Sequence, residues 1–192
     1  MARLRTFVAI DPGKAVRDRL VALQEALARG GAEVKWVEHD NLHVTLLFLG
    51  EVNDTDVPAV CGVVAEEAGK LGAFALSVEG AGCFPHARRP RIVWAGLQQG
   101  RQEVCVLHDA LEPPLLELGC YRREERKYTP HITLGRVRNE RASAALAVSL
   151  ARHTGWMAGE TMVREVHVLS SELTPHGPIY TVLSRAKLGV QG

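Results

Sequence analysis

The sequence predicts an α+β fold, and three observations support this prediction. Segments with strand and helix patterns are mixed without the strict alternation that a doubly wound parallel sheet requires. The strands predicted over residues 163–169 and 179–188 end the chain as a hairpin, whose strands pair antiparallel. A four-residue motif occurs at position 43 and again at position 131, which divides the chain into two comparable halves.

In the first half, apolar runs and turn residues mark the elements. A strand is predicted over residues 4–10, followed by a helix that Asp11-Pro12 caps and Gly30-Gly31 ends. The apolar stripe of this helix, with spacings of 4, 3 and 4, consists of Val16, Leu20, Leu23 and Leu27. Strands over residues 33–37 and 42–49, a helix over 54–69 and a strand over 73–79 follow.

The second half begins with a strand predicted over residues 91–97. A helical stripe follows at Val104, Leu107 and Leu111, and Pro113-Pro114 predicts a break or kink there, because proline cannot donate to the helix ladder. We expect a turn at the two prolines and then a short helix to residue 118. A strand over residues 131–137 and a helix over 139–152 precede the final hairpin.

The composition is that of an ordinary globular protein, with 192 residues, 46% apolar and 23% charged side chains. No apolar run approaches the ~18 residues of a membrane span, so neither membrane insertion nor export is expected. The four cysteines form no C-x-x-C pair, which predicts reduced thiols in the cytoplasm. No heptad pattern or long apolar face is present, so we expect a monomer.

The charge balance of 23 basic against 22 acidic residues argues against a general nucleic-acid coat. Ten of the basic residues nevertheless lie in three short stretches, residues 86–91, 121–127 and 136–141, together with only three acids. Such a local excess suits a small anionic target such as a phosphate or an RNA end. The alternative is that these stretches are solvated loops and strand ends.

The repeated motif is His43-Val44-Thr45-Leu46 and His131-Ile132-Thr133-Leu134. A random order of the same residues would contain about 0.006 copies of this pattern. Side chains alternate along a strand, so the histidine and threonine of each copy share one face. If a pseudo-twofold axis relates the two halves, two imidazoles and two hydroxyls converge on one point.

Two imidazoles and two hydroxyls suit metal-free chemistry on a phosphate. One histidine accepts a proton while the other donates one, and the threonine hydroxyls donate hydrogen bonds to phosphoryl oxygens. A single His-x-Thr on a strand is more often structural, but two matched copies favour a functional site. Metal binding is the other alternative, since His39 and His43 are four residues apart, but no third ligand lies at a suitable spacing.

The chain resembles the two-histidine phosphoesterase superfamily, and in particular its RNA 2′,3′-cyclic phosphodiesterase branch, also called 2′-5′ RNA ligase. The paired motifs are typical of the superfamily. The match covers residues 4–10, 36–50, 82–85 with 89–94, 128–136, and 168–173 leading to Tyr180. The segment with Arg89-Pro90-Arg91 and the segment over residues 129–136 indicate the branch.

The resemblance implies one bilobal domain over residues 1–192, with two pseudo-twofold related antiparallel sheets, outer helices and a central cleft. It implies cofactor-free hydrolysis of a 2′,3′-cyclic phosphate at an RNA 3′ end to a 2′-phosphate. By the same analogy His43 is the general acid, His131 the general base, and Thr45 and Thr133 hold the phosphate. The reverse chemistry, attack by an RNA 5′-hydroxyl, would give 2′-5′ ligation.

Further substrate-binding candidates are three arginines and three aromatic residues. Arg136 lies five residues after His131, so it reaches the same face only if the strand has a bulge or bend at Gly135. Arg89 and Arg91 could contact a phosphate backbone, although exposed arginines often serve only solubility. The candidates for stacking a terminal base are Phe48, Trp94 and Tyr128, although a place in the core is more typical for Phe48 and Trp94.

Two rival functions stay open at this stage. A non-catalytic nucleotide- or RNA-binding module would keep the cleft for recognition alone, although the two intact motifs argue against it. A phosphodiesterase acting on a small cyclic nucleotide or on an ADP-ribose cyclic phosphate would keep the chemistry and change the substrate.

Overall fold

A computed structural model describes residues 2–31, 33–123, 125–139, 143–175 and 177–189. The strands in these ranges are β1 (Arg3–Ile10), β2 (Val34–Trp36), β3 (Val44–Asn53), β4 (Phe74–Phe84), β5 (Ile92–Leu97), β6 (His131–Val137), β7 (Met157–Val163), β8 (Glu165–Thr174) and β9 (Gly177–Lys187). The helices are α1 (Lys14–Ala28), α2 (Val57–Gly69), α3 (Arg101–Glu117) and α4 (Ser143–Ala151), with one 3-10 turn at His39–Asn41. None of the helices in these ranges is long and apolar enough to span a membrane.

The strands form one curled sheet in the order β7-β4-β5-β6-β3-β1-β8-β9, with β2 paired to β6. Every ladder between these strands is antiparallel. The order is symmetric about the boundary between β3 and β6. We call β3, β1, β8 and β9 the first half-sheet, and β6, β5, β4, β7 and β2 the second. The predicted α+β fold is confirmed, and the two predicted antiparallel sheets are the two halves of one sheet, joined at the pair Val44–Ile132.

The helices cover both half-sheets, and two of them cross from one to the other. Helices α2 and α3 pack against strands of the first half-sheet, whereas α1 and α4 pack against β7 and β4 of the second. Helix α1 follows β1 of the first half-sheet, and α3 follows β5 of the second, so each of these helices covers the opposite half. Because α1 and α3 each cover the opposite half, they connect the two half-sheets at a distance from the short ladder between β3 and β6.

The apolar stripe predicted for α1 is confirmed, because its members are all buried: Val16, Leu20, Leu23 and Leu27. Burial of each such side chain contributes about 1.5–3 kcal/mol to the free energy of unfolding. Apolar side chains on the helix-facing side of the joint, such as Leu46 and Leu134, are buried in the same core. The opposite side chains of the motif strands are therefore left for the other face of the sheet.

The predicted break at Pro113-Pro114 is wrong, because α3 continues through both prolines. Leu107, Leu111 and Leu115 are fully buried on one face of this helix, on either side of the prolines. Their burial offsets the ~3 kcal/mol that an interior proline typically costs. Tertiary packing therefore overrides the local propensity.

Strand β7 was not predicted as a separate strand. The sequence predicts one strand over residues 163–169, whereas the structure has β7 and β8 separated by Arg164. Strand β7 exposes Met157 and Met162 at one edge of the sheet, so it lacks clean apolar alternation. The predicted helix over 139–152 is observed as α4, and positions 140–142 lie outside the described residues.

Candidate active site

The two motifs lie on adjacent strands at the joint between the half-sheets. His43 directly precedes β3, and His131 is the first residue of β6. Val44 is paired with Ile132 in an antiparallel ladder. This register sets His43 opposite Thr133, and Thr45 opposite His131, across the joint. All four polar side chains therefore share the face of the sheet that the helices leave open.

Both histidines are oriented by the same kind of hydrogen bond. His43 Nδ1 lies 2.7 Å from the carbonyl oxygen of Asn41, and His131 Nδ1 lies 2.6 Å from that of Thr129. A carbonyl oxygen only accepts, so each Nδ1 carries the hydrogen and each Nε2 is left for chemistry. In His43 this nitrogen lies 2.9 Å from the Thr45 hydroxyl. The two motifs thus present equivalent atoms.

Aromatic rings support both imidazoles. The His43 ring contacts Phe7 at 5.0 Å and Tyr180 at 5.5 Å between centroids. The His131 ring meets the edge of Phe84 at 5.1 Å. These contacts restrict ring rotation and exclude water from one side of each imidazole.

Burial lowers the pKa of both imidazoles below the ordinary value. For His43 burial is the main cause, the Asn41 carbonyl acts in the opposite direction, and the charge on His131 lowers this pKa further. For His131 burial again lowers the pKa, and the Thr129 carbonyl partly opposes it. Since each charged imidazole disfavours the other, the unliganded site does not readily hold both protons.

Matching bulges bring two more residues to the open face. The ladder between β1 and β3 skips Leu46, and the ladder between β5 and β6 skips Leu134. Each bulge reverses the alternation after the motif. Phe48 and Arg136 therefore lie on the same open face as the motifs that precede them. The bulge in β6 is the irregularity that Arg136 needs to reach this face.

A cavity of about 470 Å³ adjoins the motifs. Of the residues predicted for the site, five line it: His43, Thr45, Phe48, Thr133 and Arg136. His131 is not in its lining, but it is coupled electrostatically to His43 and lies two residues before Thr133 on the same strand. The structure therefore brings both motifs and two of the six further candidates together.

The other four candidates lie outside this cavity. Arg89 and Arg91 are exposed on the connection between β4 and β5. The Trp94 ring packs against Phe84 at 5.3 Å between centroids. The Tyr128 ring stacks on His108 at 4.0 Å, and its hydroxyl donates to the carbonyl oxygen of Thr45.

The cavity residues that were missed as site candidates include Arg5, Lys35 and Asn41. The first two come from β1 and β2, which do not carry a motif. Gly135 of β6 permits the close approach of β2, because a Cβ atom there would lie 2.5 Å from Val34 Cγ1. Only the assembled sheet shows that Arg5 and Lys35 adjoin the motifs.

Within the described residues, no three side chains of His, Cys, Asp or Glu are grouped in a way that could hold a metal ion. His39, the partner of His43 in the metal alternative, instead bonds two carboxylates. Its Nε2 lies 2.8 Å from Asp18 and its Nδ1 lies 2.7 Å from Asp40.

The symmetry of the site is matched by the family comparison. The model of the LigT-like phosphoesterases matches this chain twice, over residues 10–94 and 96–180, with one motif in each match. The chain belongs to the LigT-like phosphoesterase family. Membership confirms the resemblance, and the curated relatives, which are named as phosphodiesterases, confirm the prediction of a hydrolase.

Curated relatives match over nearly the whole length. The RNA 2′,3′-cyclic phosphodiesterase of Methanothermobacter thermautotrophicus is 36% identical over 179 residues, which is 93% of this chain and 96% of that protein. The protein of the same name from Archaeoglobus fulgidus is 34% identical over 177 residues, which is 92% and 96% of the two chains.

Solved structures of the family agree with the fold. A Thermus thermophilus protein superposes with a TM-score of 0.82 at 28% identity, covering 98% of this chain and 100% of its own. Escherichia coli LigT in complex with 3′-AMP superposes with a TM-score of 0.76 at 26% identity, covering 97% and 98%. The same enzyme has also been solved in complex with phosphate.

Proposed function

We propose that this phosphoesterase hydrolyses the 2′,3′-cyclic phosphate at an RNA 3′ end to a 2′-phosphate, without a metal ion. The register at the Val44–Ile132 pair is the observation that carries the proposal, because it sets each histidine opposite the threonine of the other motif. The names of the curated relatives, and the 3′-AMP and phosphate complexes of E. coli LigT, support the choice of substrate.

The reaction breaks one P–O bond and forms another. Water attacks phosphorus as His131 Nε2 takes its proton, and the bond to the 3′ oxygen breaks as His43 Nε2–H donates a proton to it. The products are a 2′-phosphate and a free 3′-hydroxyl, and the protons balance. Each proton transfer typically contributes 10²- to 10⁴-fold to the rate.

The two threonines hold the phosphate during this reaction. The Thr45 hydroxyl, which lies 2.9 Å from His43 Nε2 in the unliganded site, rotates to donate to a phosphoryl oxygen. Thr133 donates from the opposite strand. Phosphoryl oxygens gain negative charge in the transition state. These hydrogen-bond donors therefore stabilise the transition state more than they stabilise the bound substrate.

The negative charge of the bound phosphate also favours the protonated form of the acid, which takes its proton from solvent. Both imidazoles are easily deprotonated in the empty site because burial lowers the pKa of each. A phosphodiester anion beside them favours the charged form and raises these pKa values. Substrate binding therefore sets one histidine as acid while the other stays neutral as base.

Phosphorus NMR of product mixtures tests the proposal. The substrates are a short RNA ending in a 2′,3′-cyclic phosphate, 2′,3′-cyclic AMP and an ADP-ribose cyclic phosphate, all in the presence of EDTA. We expect the RNA to be converted to a 2′-phosphate at the highest kcat/KM. Loss of turnover under chelation contradicts metal-free hydrolysis, and highest turnover of the ADP-ribose compound indicates a metabolite phosphodiesterase.

Two further samples test the remaining parts of the proposal. A His131→Ala variant with full activity would contradict its role as the base, and affinity without any turnover would indicate a binding module. Addition of a second RNA with a 5′-hydroxyl tests the reverse reaction, which is expected to yield a 2′-5′ linked product. The absence of that product would remove ligation from the proposal.

A further inference from the structure

One end of the cavity carries three cations from three different strands. Arg5 of β1, Lys35 of β2 and Arg136 of β6 all line it, and all three side chains are exposed. Lys35 and Arg136 are direct partners in the ladder between β2 and β6. Like charges at directly opposed positions destabilise a sheet, so the arrangement has a cost unless an anion lies between them.

Few carboxylates lie near enough to neutralise the charges of these three cations. Among the residues that the structure describes, no carboxylate forms an ion pair with Arg5, Lys35 or Arg136. Glu38 is the acidic residue in the described lining of the cavity, against these three cations. The end of the cavity thus has a net positive charge.

Arg5 is held in place by an aromatic ring. Its guanidinium lies 4.8 Å from the centroid of Phe48, a cation–π distance. This contact covers one face of Phe48 and fixes the arginine at the cavity wall. Phe48 therefore orients a cation, in addition to any contact that it makes with a base.

Tyr180 connects these cations to the catalytic histidine. Burial raises the pKa of its hydroxyl, while the charges of Arg136 and Arg5 act in the opposite direction, so both lie within electrostatic reach of this group. The same ring meets His43 at 5.5 Å between centroids. The cationic end of the cavity consequently begins next to the proposed reaction centre.

We propose that Arg5, Lys35, Arg136 and the Tyr180 hydroxyl form a second phosphate subsite. This subsite binds the phosphate on the 5′-oxygen of the nucleoside whose cyclic phosphate is hydrolysed. The inference rests on the proposed function. A cavity of about 470 Å³ falls in the size range of sites for small organic ligands, which includes one nucleoside. Contacts to this phosphate favour RNA ends over a cyclic mononucleotide, whatever the base sequence.

Calorimetric titration tests the subsite without any turnover. The probes are adenosine 2′-monophosphate and adenosine 2′,5′-bisphosphate, which differ only by the 5′-phosphate. We expect the bisphosphate to bind the unchanged protein about tenfold more tightly, the effect of one or two charge-assisted hydrogen bonds at an exposed site. Arg5→Gln and Lys35→Gln should each reduce this advantage to about threefold or less.

A matched control removes the same charge elsewhere. Arg19 is exposed on α1, outside the cavity lining, so Arg19→Gln is expected to keep the tenfold advantage. All three substituted side chains are exposed, which limits effects on folding. Equal affinity of the two probes for the unchanged protein would overturn the subsite, and so would an equal loss in the Arg19→Gln variant.

Kinetics then separates the subsite from the proposed function. The ratio of kcat/KM for a dinucleotide ending in a cyclic phosphate to that for 2′,3′-cyclic AMP should fall at least about threefold in Arg5→Gln. The kcat/KM of a 2′,3′-cyclic nucleotide with a 5′-phosphate, compared with that of the dinucleotide, shows whether a phosphate monoester binds the subsite as well as the phosphodiester of RNA. A ratio unaffected by Arg5→Gln and Lys35→Gln overturns the subsite alone. A bisphosphate advantage without hydrolysis of any cyclic phosphate supports the subsite and overturns the proposed function.

Discussion

The hydroxyl of Tyr128 donates a hydrogen bond of 2.7 Å to the carbonyl oxygen of Thr45. Tyr128 precedes the second motif and Thr45 belongs to the first, so this bond crosses the joint between the half-sheets. The ladder at the joint is short and contains the pair Val44–Ile132. The relative position of the two histidines therefore depends on Tyr128 as well as on the sheet.

A Tyr128→Phe variant should retain the stacking on His108 and lose only this hydrogen bond. We expect the free energy of unfolding to fall by about 1 kcal/mol. We expect kcat to fall several-fold, with KM changed less than about twofold, because the substrate-binding residues stay in place. Urea denaturation and steady-state kinetics measure the two effects.

Tyr121→Phe is the control for this substitution, since Tyr121 is buried and its hydroxyl lies 3.5 Å from Glu112, away from the motifs. Its kcat should equal that of the unchanged enzyme. An unaltered kcat in Tyr128→Phe would show that the bond across the joint has no role in positioning the motifs.

Asn41 links the final hairpin to the first histidine. Its side-chain amide donates to the carbonyl oxygen of Pro178 at 2.9 Å, and its own carbonyl oxygen accepts from His43. An Asn41→Ala variant keeps the hydrogen bond from His43 to the backbone carbonyl of residue 41 and loses the side-chain hydrogen bond to the hairpin at Pro178. Amide hydrogen exchange of Ile179 and Tyr180 should become about five- to tenfold faster, and kcat/KM should decrease.

The matched variant for this test is Asn53→Ala. The Asn53 amide donates to Asp56 at 2.8 Å, at the other end of β3. Exchange in the hairpin should be the same in Asn53→Ala as in the unchanged protein. Equal exchange rates in both variants would contradict the link through Asn41.

The lowered pKa values of both histidines predict an acidic optimum for kcat/KM. This quantity reports the free enzyme, in which one imidazole must be neutral and the other protonated. Burial lowers the pKa of both His43 and His131 below 6.5. The maximum should therefore lie below pH 6.5, and kcat/KM should fall as pH rises because the protonated acid is lost.

The pH profile of kcat should lie at higher pH than that of kcat/KM. The bound phosphodiester anion raises the pKa of the imidazoles in the complex. Initial rates between pH 4.5 and 9 at low and at saturating substrate measure both profiles. A kcat/KM maximum above pH 7, or superimposable profiles, would contradict these pKa assignments.

Substitution of an interior proline in α3 should stabilise the protein. Pro113→Ala restores a backbone donor to a continuous helix, so we expect the free energy of unfolding to rise by about 1–3 kcal/mol. Pro58→Ala is the control, because this residue lies in the first turn of α2, where no helical hydrogen bond is lost. Urea denaturation measures the free energy of unfolding of both variants. A value for Pro113→Ala no higher than that for Pro58→Ala would contradict the proposed cost of the interior proline.

The sequence predicted those features that depend on local periodicity. The stripe of α1 and the alternation in the two motifs are of this kind, since each repeats within a few residues. The histidines were identified because their motif occurs twice. A bulge or bend at Gly135 was inferred only as a requirement for Arg136, because no single residue in that strand specifies one. The ladder skips the preceding residue, Leu134.

The remaining features depend on contacts between distant segments. Arg5 and Lys35 reach the cavity through the pairing of β1 with β3 and of β2 with β6, which periodicity does not determine. Helix α3 continues through its prolines because packing on the first half-sheet offsets their cost. Tyr128 was one of three candidates for stacking a terminal base, and its ring stacks on His108 of another element, a contact that the sequence does not indicate.

The central claim is that His43 and His131 act on one phosphate as a unit. Single-turnover hydrolysis of an RNA ending in a cyclic phosphate, measured for His43→Ala, His131→Ala and the double variant, tests it most directly. Each single substitution should slow the reaction about 10²- to 10⁴-fold, and the double variant should be no slower than about the slower single variant. A single variant with the unchanged rate, or losses that multiply in the double variant, would contradict the claim.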